Sequence, residues 1–450
     1  MQIDWEKEGR EAVAWLQKLI RFDTTNPPGN ELPLVQSIAA ELRREGLAPQ
    51  VLESGPQRGN LVLRLQGDGS QRPLLLLSHL DVVPAEPAKW SHPPFAGEVA
   101  DDFLFGRGAI DSKLTTTVDL QVLLLCKRLG LPLKRDLVLV AAADEEMGGN
   151  YGVQWLAEHH PGIFDAEYGI NEAGGFALLV DGRPLYTCQV GEKGGAGLDL
   201  VSHGRPGHSS VPHQENAIFH LAEVLQKMAP HKMPHRVPNS VRAFFEGAAA
   251  AQRRPEVAQW LRDMLVPERQ EEALGQLPVN EPTRLMFDAM VRNTCAPTIL
   301  EAGLKRNVIP STATAQLSGR TLPDVDEESF LREVRDIVGD EVEFQLENFR
   351  SGFEVSHETP LFAALQAATQ RFDPDGVVVP YMVTGGTDAR FLSQFDTKIY
   401  GFIPMRNEPG MDFFELCHGH DERVSVANVL FGVQVVFDAV CRLNEIEISA

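Results

Sequence analysis

Residues 74–84 read LLLLSHLDVVP, an apolar run that ends in Ser78, His79 and Asp81 before Pro84 breaks it. The run barely alternates between apolar and polar residues. It therefore reads as a strand over 74–83 that is buried on both faces. Residues 61–65 and 136–143 have the same texture and are expected to lie beside it. Between the last two strands, residues 112–129 carry Leu114, Val118, Val122 and Leu125 at helical spacing, with Gly130 and Pro132 as a stop. Strand, helix and strand in this rhythm predict an α/β fold with a mainly parallel sheet covered by helices. A short run at 168–170 adds a further strand.

Outward from this centre the texture changes. Residues 191–197, GEKGGAG, lack the lysine and hydroxyl of a phosphate loop and read as a flexible domain junction. Beyond it the pattern gives a strand (197–203), a helix (216–228), a polar helix-like stretch (255–277), a strand (313–320), a helix (327–338) and a strand (341–347). This order predicts a small α+β layer inserted into the larger domain. Near Ser356 the helical pattern resumes. The expected division is a catalytic domain built from 1–190 and 353–450, interrupted by 191–352. The first twenty residues, with Val13, Leu16, Leu19 and Ile20 on one helical face, predict an amphipathic helix rather than a signal peptide.

Bulk composition narrows the function. The chain has 450 residues, enough for two or three domains, and a net charge of -22. Such an acidic balance argues against nucleic acid or an anionic membrane as partner. Apolar runs fall short of the ~20 residues that span a bilayer. Five cysteines, an odd count without a C-x-x-C spacing, argue against a disulfide framework or a thiolate zinc site and fit a reducing cytoplasm. Cys417 precedes His418, but sequence neighbours usually point apart, so a Cys–His nucleophile pair is not expected.

The polar residues at the strand ends carry the chemistry. His79 and Asp81 follow one strand, Asp144, Glu145 and Glu146 another, and Asn171 and Glu172 the third; Asp111 opens a helix. In a parallel sheet the C-terminal strand ends face the ligand crevice. A single acid at a strand end is more often a helix cap. Acids at three strand ends together with a His-x-Asp are not explained that way, and unpaired they would repel one another unless a cation resolves the charge. In H-x-D, residues i and i+2 of a strand share a face, so Asp81 can accept the His79 N–H and fix which ring nitrogen meets a metal. Ligands of this kind suit zinc, with cobalt or manganese tolerated.

SHLDVVP (78–84), GRGAIDSK (106–113) and DEEMGG (144–149), with W-x-x-x-P-F (90–95), GRPGHSS (204–210), NVIP (307–310), GGTDAR (385–390) and CHGHDERV (417–424), resemble the M20 metallopeptidases and aminoacylases. The resemblance runs nearly end to end, except over 230–297. It implies a pair of zinc ions. His79, Asp111 and Glu172 would hold one and Asp111, Glu146 and His418 the other, with Asp111 bridging. Ser112 stands where the family often has a second acid. His420 is a rival to His418, which is preferred because the family ligand lies just before G-x-D-E.

Glu145 would be the general base toward a water shared by the two ions. Asp81 would orient His79, and His208 would complete the oxyanion site from a neighbouring subunit, with 191–352 serving as lid and dimerisation domain. Asn307 and Arg320 would grip the substrate carboxylate, and Gly385, Gly386 and Thr387 would line the substrate pocket. The implied reaction is hydrolysis of an amide or peptide bond beside a free carboxylate, on N-acyl-amino acids or short peptides, by a homodimer. Deacylase and dipeptidase or carboxypeptidase remain alternatives, as does a catalytically idle metal-binding relative.

Overall fold

A computed structural model describes residues 3–448. At its centre Leu74–His79 pairs in parallel with Leu137–Ala142 on one side and with Tyr168–Asn171 on the other; Lys398–Gly401 extends the parallel set beyond Tyr168–Asn171. Alternate leucines of the central strand serve two cores. Leu74 and Leu76 join the larger cluster, while Leu75 and Leu77 join a smaller one with Val153, Leu156 and Phe164. Burial on both faces explains why the run shows no alternation.

The sheet is mixed rather than parallel throughout. Arg58–Leu65 lies antiparallel to Leu137–Ala142, and Arg183–Glu192 meets Lys398–Gly401 antiparallel. Beyond them the edges are mixed too, since Val377–Val383 runs parallel to Arg183–Glu192. Helices Trp5–Ile20, Lys113–Arg128, Pro360–Phe372 and Val426–Leu443 pack on one another over one face. Val426–Leu443 is long and apolar enough to cross a membrane, but 72% of it is buried inside this protein.

Gly194–His203, Thr312–Thr321, Thr294–Ala302 and Glu343–Arg350 form a separate four-stranded antiparallel sheet. The helices Ala217–Met228 and Glu327–Val338 cover it. The expected flexible junction is absent. Arg183–Glu192 of the large sheet runs into Gly194–His203 of the small one with only Lys193 between them. The glycines belong to the strand because its surroundings leave no room: a Cβ on Gly194 would stand 2.2 Å from the Arg350 carbonyl oxygen. The chain returns by Phe353–Glu354, which pairs with Glu192 and Gly191.

The stretch without a counterpart in the family motifs is helical. Asn239–Ala251, Pro255–Asp263, Gln270–Gln276 and Glu281–Met290 follow one another. The first packs on Val377–Val383 of the large sheet, not on the small one, although 239–290 lies within the expected insertion. Glu354 accepts from the main chain of Asn239 and Ser240 and tethers the start of this helix. Phe244, wholly buried, sits edge-on to Phe245 and Phe287 at 5.1 and 5.4 Å, and 6.2 Å from Tyr381. Phe244→Ala should cost about 3–5 kcal/mol, the transfer and cavity terms of a deleted core ring. Urea unfolding checks this; a loss under about 1 kcal/mol would mean that the helix block does not lean on the sheet through this ring.

Candidate metal centre

The strand 74–79 ends at His79, earlier than the expected 83, and Asp81 sits in the buried turn that follows. The His–Asp contact forms nonetheless. His79 Nδ1 lies 3.0 Å from the Asp81 carbonyl oxygen and 3.5 Å from its carboxylate Oδ1. Since a carbonyl only accepts, Nδ1 carries the proton and Nε2 faces the site. There Nε2 is 3.0 Å from Asp111 Oδ1 and 3.0 Å from Glu172 Oε2.

The Asp81 carboxylate is spent on positioning. It accepts the main-chain N–H groups of Glu145 and Glu146 at 3.0 and 3.1 Å, and the Asn26 amide at 2.8 Å. Asn26 also donates to Asp144, which Arg58 holds by an ion pair of 2.7 Å. Asp144 has a left-handed backbone, φ 70, which turns the chain sharply as the strand ends and presents the two glutamates.

Asp111 is held from behind. Glu422 accepts the N–H groups of Gly108, Ile110 and Asp111 at 2.9, 2.7 and 3.1 Å, and pairs with Arg107 at 2.8 Å. The Ser112 hydroxyl accepts the His79 N–H at 3.4 Å. From the far end of the chain His418 Nε2 reaches Asp111 Oδ2 at 3.0 Å and Glu146 Oε1 at 3.4 Å. His420 instead meets Glu86 at 3.4 Å, outside the cluster.

Cys417 contradicts the expectation that it and His418 point apart. Its thiol donates to the same Asp111 oxygen at 3.1 Å. His418 has φ 61, and this left-handed turn brings two consecutive side chains onto one acceptor.

The charges need a cation. Burial disfavours the protonated His79, but Glu172, Asp111 and Asp81 outweigh it and hold the ring well above the ordinary imidazole value. The hydrogen bond that His418 donates to Asp111, with the Glu146 carboxylate close beside the ring, lifts His418 to about 10. Burial raises Glu145, Glu146 and Glu172 above the usual carboxylate range. Protons thus stand in for positive charge among these acids. Glu146 Oε1 is buried without a hydrogen-bond donor, and donor atoms of His79, Asp111 and Glu146, or of His79, Glu145 and Glu172, lie within 4.8 Å of one another. Imidazole nitrogens and carboxylate oxygens at this spacing fit a bound metal.

A family model for peptidase family M20/M25/M40 matches residues 75–442. The chain belongs to that family. Among similar M20 relatives, N-fatty-acyl-amino acid synthase/hydrolase PM20D1 of Xenopus tropicalis is 30% identical over 93% of this chain and 83% of its own length. Aminoacylase-1 of Sus scrofa is 28% identical over 95% of both. The fold matches the M20 family metallo-carboxypeptidase Sso-CP2 of Sulfolobus solfataricus with a TM-score of 0.71 at 18% identity, covering 97% of this chain and all of that one. This M20 chain is therefore a metallohydrolase of a family that acts on amide and peptide bonds.

Beside the cluster lies a cavity of about 570 Å³. Arg320, Gly385, Gly386 and Thr387 line it, as expected, together with Asp111, Glu145, Glu146, Glu172 and His418. His208 and Asn307 do not. Both are exposed, on a two-stranded ribbon in which His208 pairs with Val308. Several lining residues escaped the sequence reading. Arg390, in GGTDAR, points at Glu145 across 3.5 Å. Lys193 is buried, and Arg350 lies near Arg320 on the small-sheet side. Only the quoted GGTDAR motif could have flagged Arg390; Lys193 and Arg350 carry no sequence signal.

Metal uptake should release protons. At pH 7 the metal-free His79 and His418 are protonated, because both are held above their ordinary value, and a cation must displace those protons. Affinity for zinc should therefore rise with pH between 6 and 8, by about ten-fold per unit for each proton displaced. Calorimetry in two buffers of different ionisation enthalpy measures both quantities. Binding that neither releases protons nor weakens in His418→Ala would move the metal elsewhere.

Proposed function

We propose that the protein is a two-zinc amidohydrolase that removes the acyl group from N-acyl-amino acids. The observation that carries this reading is Glu145. It stands beside the ligand-type acid Glu146 and reaches into the cavity, and among the described residues its carboxylate is tied only to Arg390, at 3.5 Å. An idle metal-binding relative has no need of such an acid. The curated relatives named N-fatty-acyl-amino acid synthase/hydrolase and aminoacylase favour deacylation over peptide cleavage.

In this reading His79 and Glu172 would hold one ion and Glu146 and His418 the other, with Asp111 serving both. When bound, the metals supply acidity to water and stabilise developing negative charge. Glu145 takes a proton from the attacking water and delivers it to the leaving amine nitrogen, so that amide plus water gives carboxylic acid and free amino acid. Arg390 keeps Glu145 turned toward the cavity. Arg320 receives the substrate carboxylate, and its planar fork suits that group. Among the described residues neither Arg320 nor Arg350 has an acid partner.

The small sheet serves as lid and dimerisation domain, and the ribbon carrying His208 and Asn307 reaches the partner's cavity. Its neighbourhood favours an interface: Val211, Phe219, Leu304 and Val308 are all exposed apolar side chains.

Glu145→Gln should lower kcat by about 10²–10⁴-fold with two metals still bound. Glu146→Gln should lose metal first. Assays on N-acetyl-amino acids with metal analysis of the same samples separate them, and the reverse pattern would exchange their roles.

Glu145→Ala and His208→Ala, each inactive, should regain activity when unfolded together and refolded as a mixture. The His208→Ala chain keeps its own Glu145 and borrows the intact histidine. Verified heterodimers that stay inactive would confine His208 to its own chain.

A further inference from the structure

Three adjacent strands of the small sheet meet in register at one point. Gly195 of Gly194–His203 pairs with Arg320 of Thr312–Thr321 on one side and with Arg350 of Glu343–Arg350 on the other. Residues directly opposite one another in antiparallel strands share a face. The two arginines therefore project from the same face, with about 10 Å, two strand spacings, between their α-carbons. A glycine stands between them, and all three residues line the cavity beside the metal cluster.

The glycine leaves the space between the arginines open. A Cβ on Gly195 would meet only Arg320 Nη1, at 3.8 Å, so the Arg320 guanidinium leans over the middle strand. Arg350 reaches elsewhere: a Cβ on Gly148, in the loop that follows Glu145 and Glu146, would stand 3.9 Å from its Nη2. The two guanidinium groups thus face different parts of one cavity. Among the described residues neither has an ion-pair partner or donates a side-chain hydrogen bond. Lys193 and Arg390, also in the wall, are engaged, Lys193 with the Arg292 carbonyl and Arg390 with Glu145. Positive charge is crowded on this side. Burial, with Arg320 and Arg292 close by, lowers Lys193 to about 7, and partial burial with the nearby Arg390 lowers Arg350.

Two free guanidinium groups on one face exceed what a single α-carboxylate requires. With Arg320 assigned to that carboxylate, Arg350 is left as a second fork of five N–H donors without an acceptor. The group that matches it is a second anion on the same amino acid, because Arg350 stands in register with Arg320 on the face that holds that amino acid. We propose that Arg350 receives the side-chain carboxylate of the substrate, so that the amino-acid part is dicarboxylic, glutamate or aspartate. This rests on the amidohydrolase reading and names the amino acid on which that same site acts.

N-acetyl-glutamate and N-acetyl-glutamine have nearly the same shape and differ by one charge, so the pair reads the choice directly. kcat/KM of the zinc-loaded protein should favour the glutamate substrate by about ten-fold, the gain of a charge-assisted over a neutral hydrogen bond. Arg350→Met should bring that ratio close to one, chiefly by raising KM for the glutamate substrate. Arg350 is exposed, so the fold tolerates the change. Arg320→Met should instead lower both substrates alike, because both carry the α-carboxylate. Calorimetric binding of free glutamate and glutamine to the zinc-loaded protein reads the site without catalysis and should show the same preference and the same loss. A ratio near one in the unaltered protein, a preference for N-acetyl-leucine over N-acetyl-glutamate, or a ratio that survives Arg350→Met would overturn the dicarboxylate site. So would equal losses on both substrates in Arg350→Met, the result expected if the two arginines shared one carboxylate. Hydrolysis of neither substrate, with glutamate binding intact and sensitive to Arg350→Met, would instead overturn the amidohydrolase reading and leave the dicarboxylate site standing.

Discussion

Asp111 sits between two imidazoles, and the layout of the protein follows from keeping it there. Its two oxygens lie 3.0 Å from His79 and 3.0 Å from His418, residues at opposite ends of the chain. A carboxylate in that position must not rotate, and its loop cannot be free. Glu422 removes the freedom by accepting three N–H groups of the loop while Arg107 offsets its charge. Asp81 does the same for the turn bearing Glu145 and Glu146. Two buried acids outside the cavity wall thus set the positions of acids that line it. Buried carboxylates are costly unless each oxygen is satisfied. That requirement explains why Asn26, Arg58 and Arg107, ordinary loop and strand residues by sequence, are nearly inaccessible to solvent.

Much of the cluster was legible because it breaks a pattern. His79, Asp111, Glu145, Glu146 and Glu172 are polar residues at the ends of apolar strands or at the start of an apolar helix, and parallel pairing at the centre of the sheet gathers those ends on one side. His418 followed only from the resemblance to the family, since its turn has no periodicity. The antiparallel edges were not legible: strand direction depends on connections made by distant segments, and Arg183–Glu192 and Lys398–Gly401 announce no partner. The junction was misread for a physical reason. Glycine clusters usually mean freedom, but here Gly194 is required because the Arg350 carbonyl takes the space of a side chain. The convergence of Cys417 and His418 escaped because it depends on one left-handed residue, which a histidine does not announce.

The small sheet and the helices 239–290 show that an insertion in sequence need not be one in space. The chain leaves the four-stranded sheet, builds four helices of which the first lies against the large sheet, and re-enters at Thr294–Ala302. Lys193, at one crossing, donates to the Arg292 carbonyl at another, so neighbouring crossings are tied to each other. The cavity lies where these layers meet, which is why it takes residues from both sheets.

The distance along the chain between His79 and His418 also has a consequence for biosynthesis. A polypeptide emerges from the ribosome amino end first. The first histidine and the acids up to Glu172 are made long before His418, the last donor of the cluster. Until then a concentration of carboxylates waits with no cation held from both sides. Filling of the proposed pair therefore waits for His418, and full loading would report that its segment has docked. A product stalled before His418 would hold the proposed pair at most half filled, because the second ion would lack its imidazole.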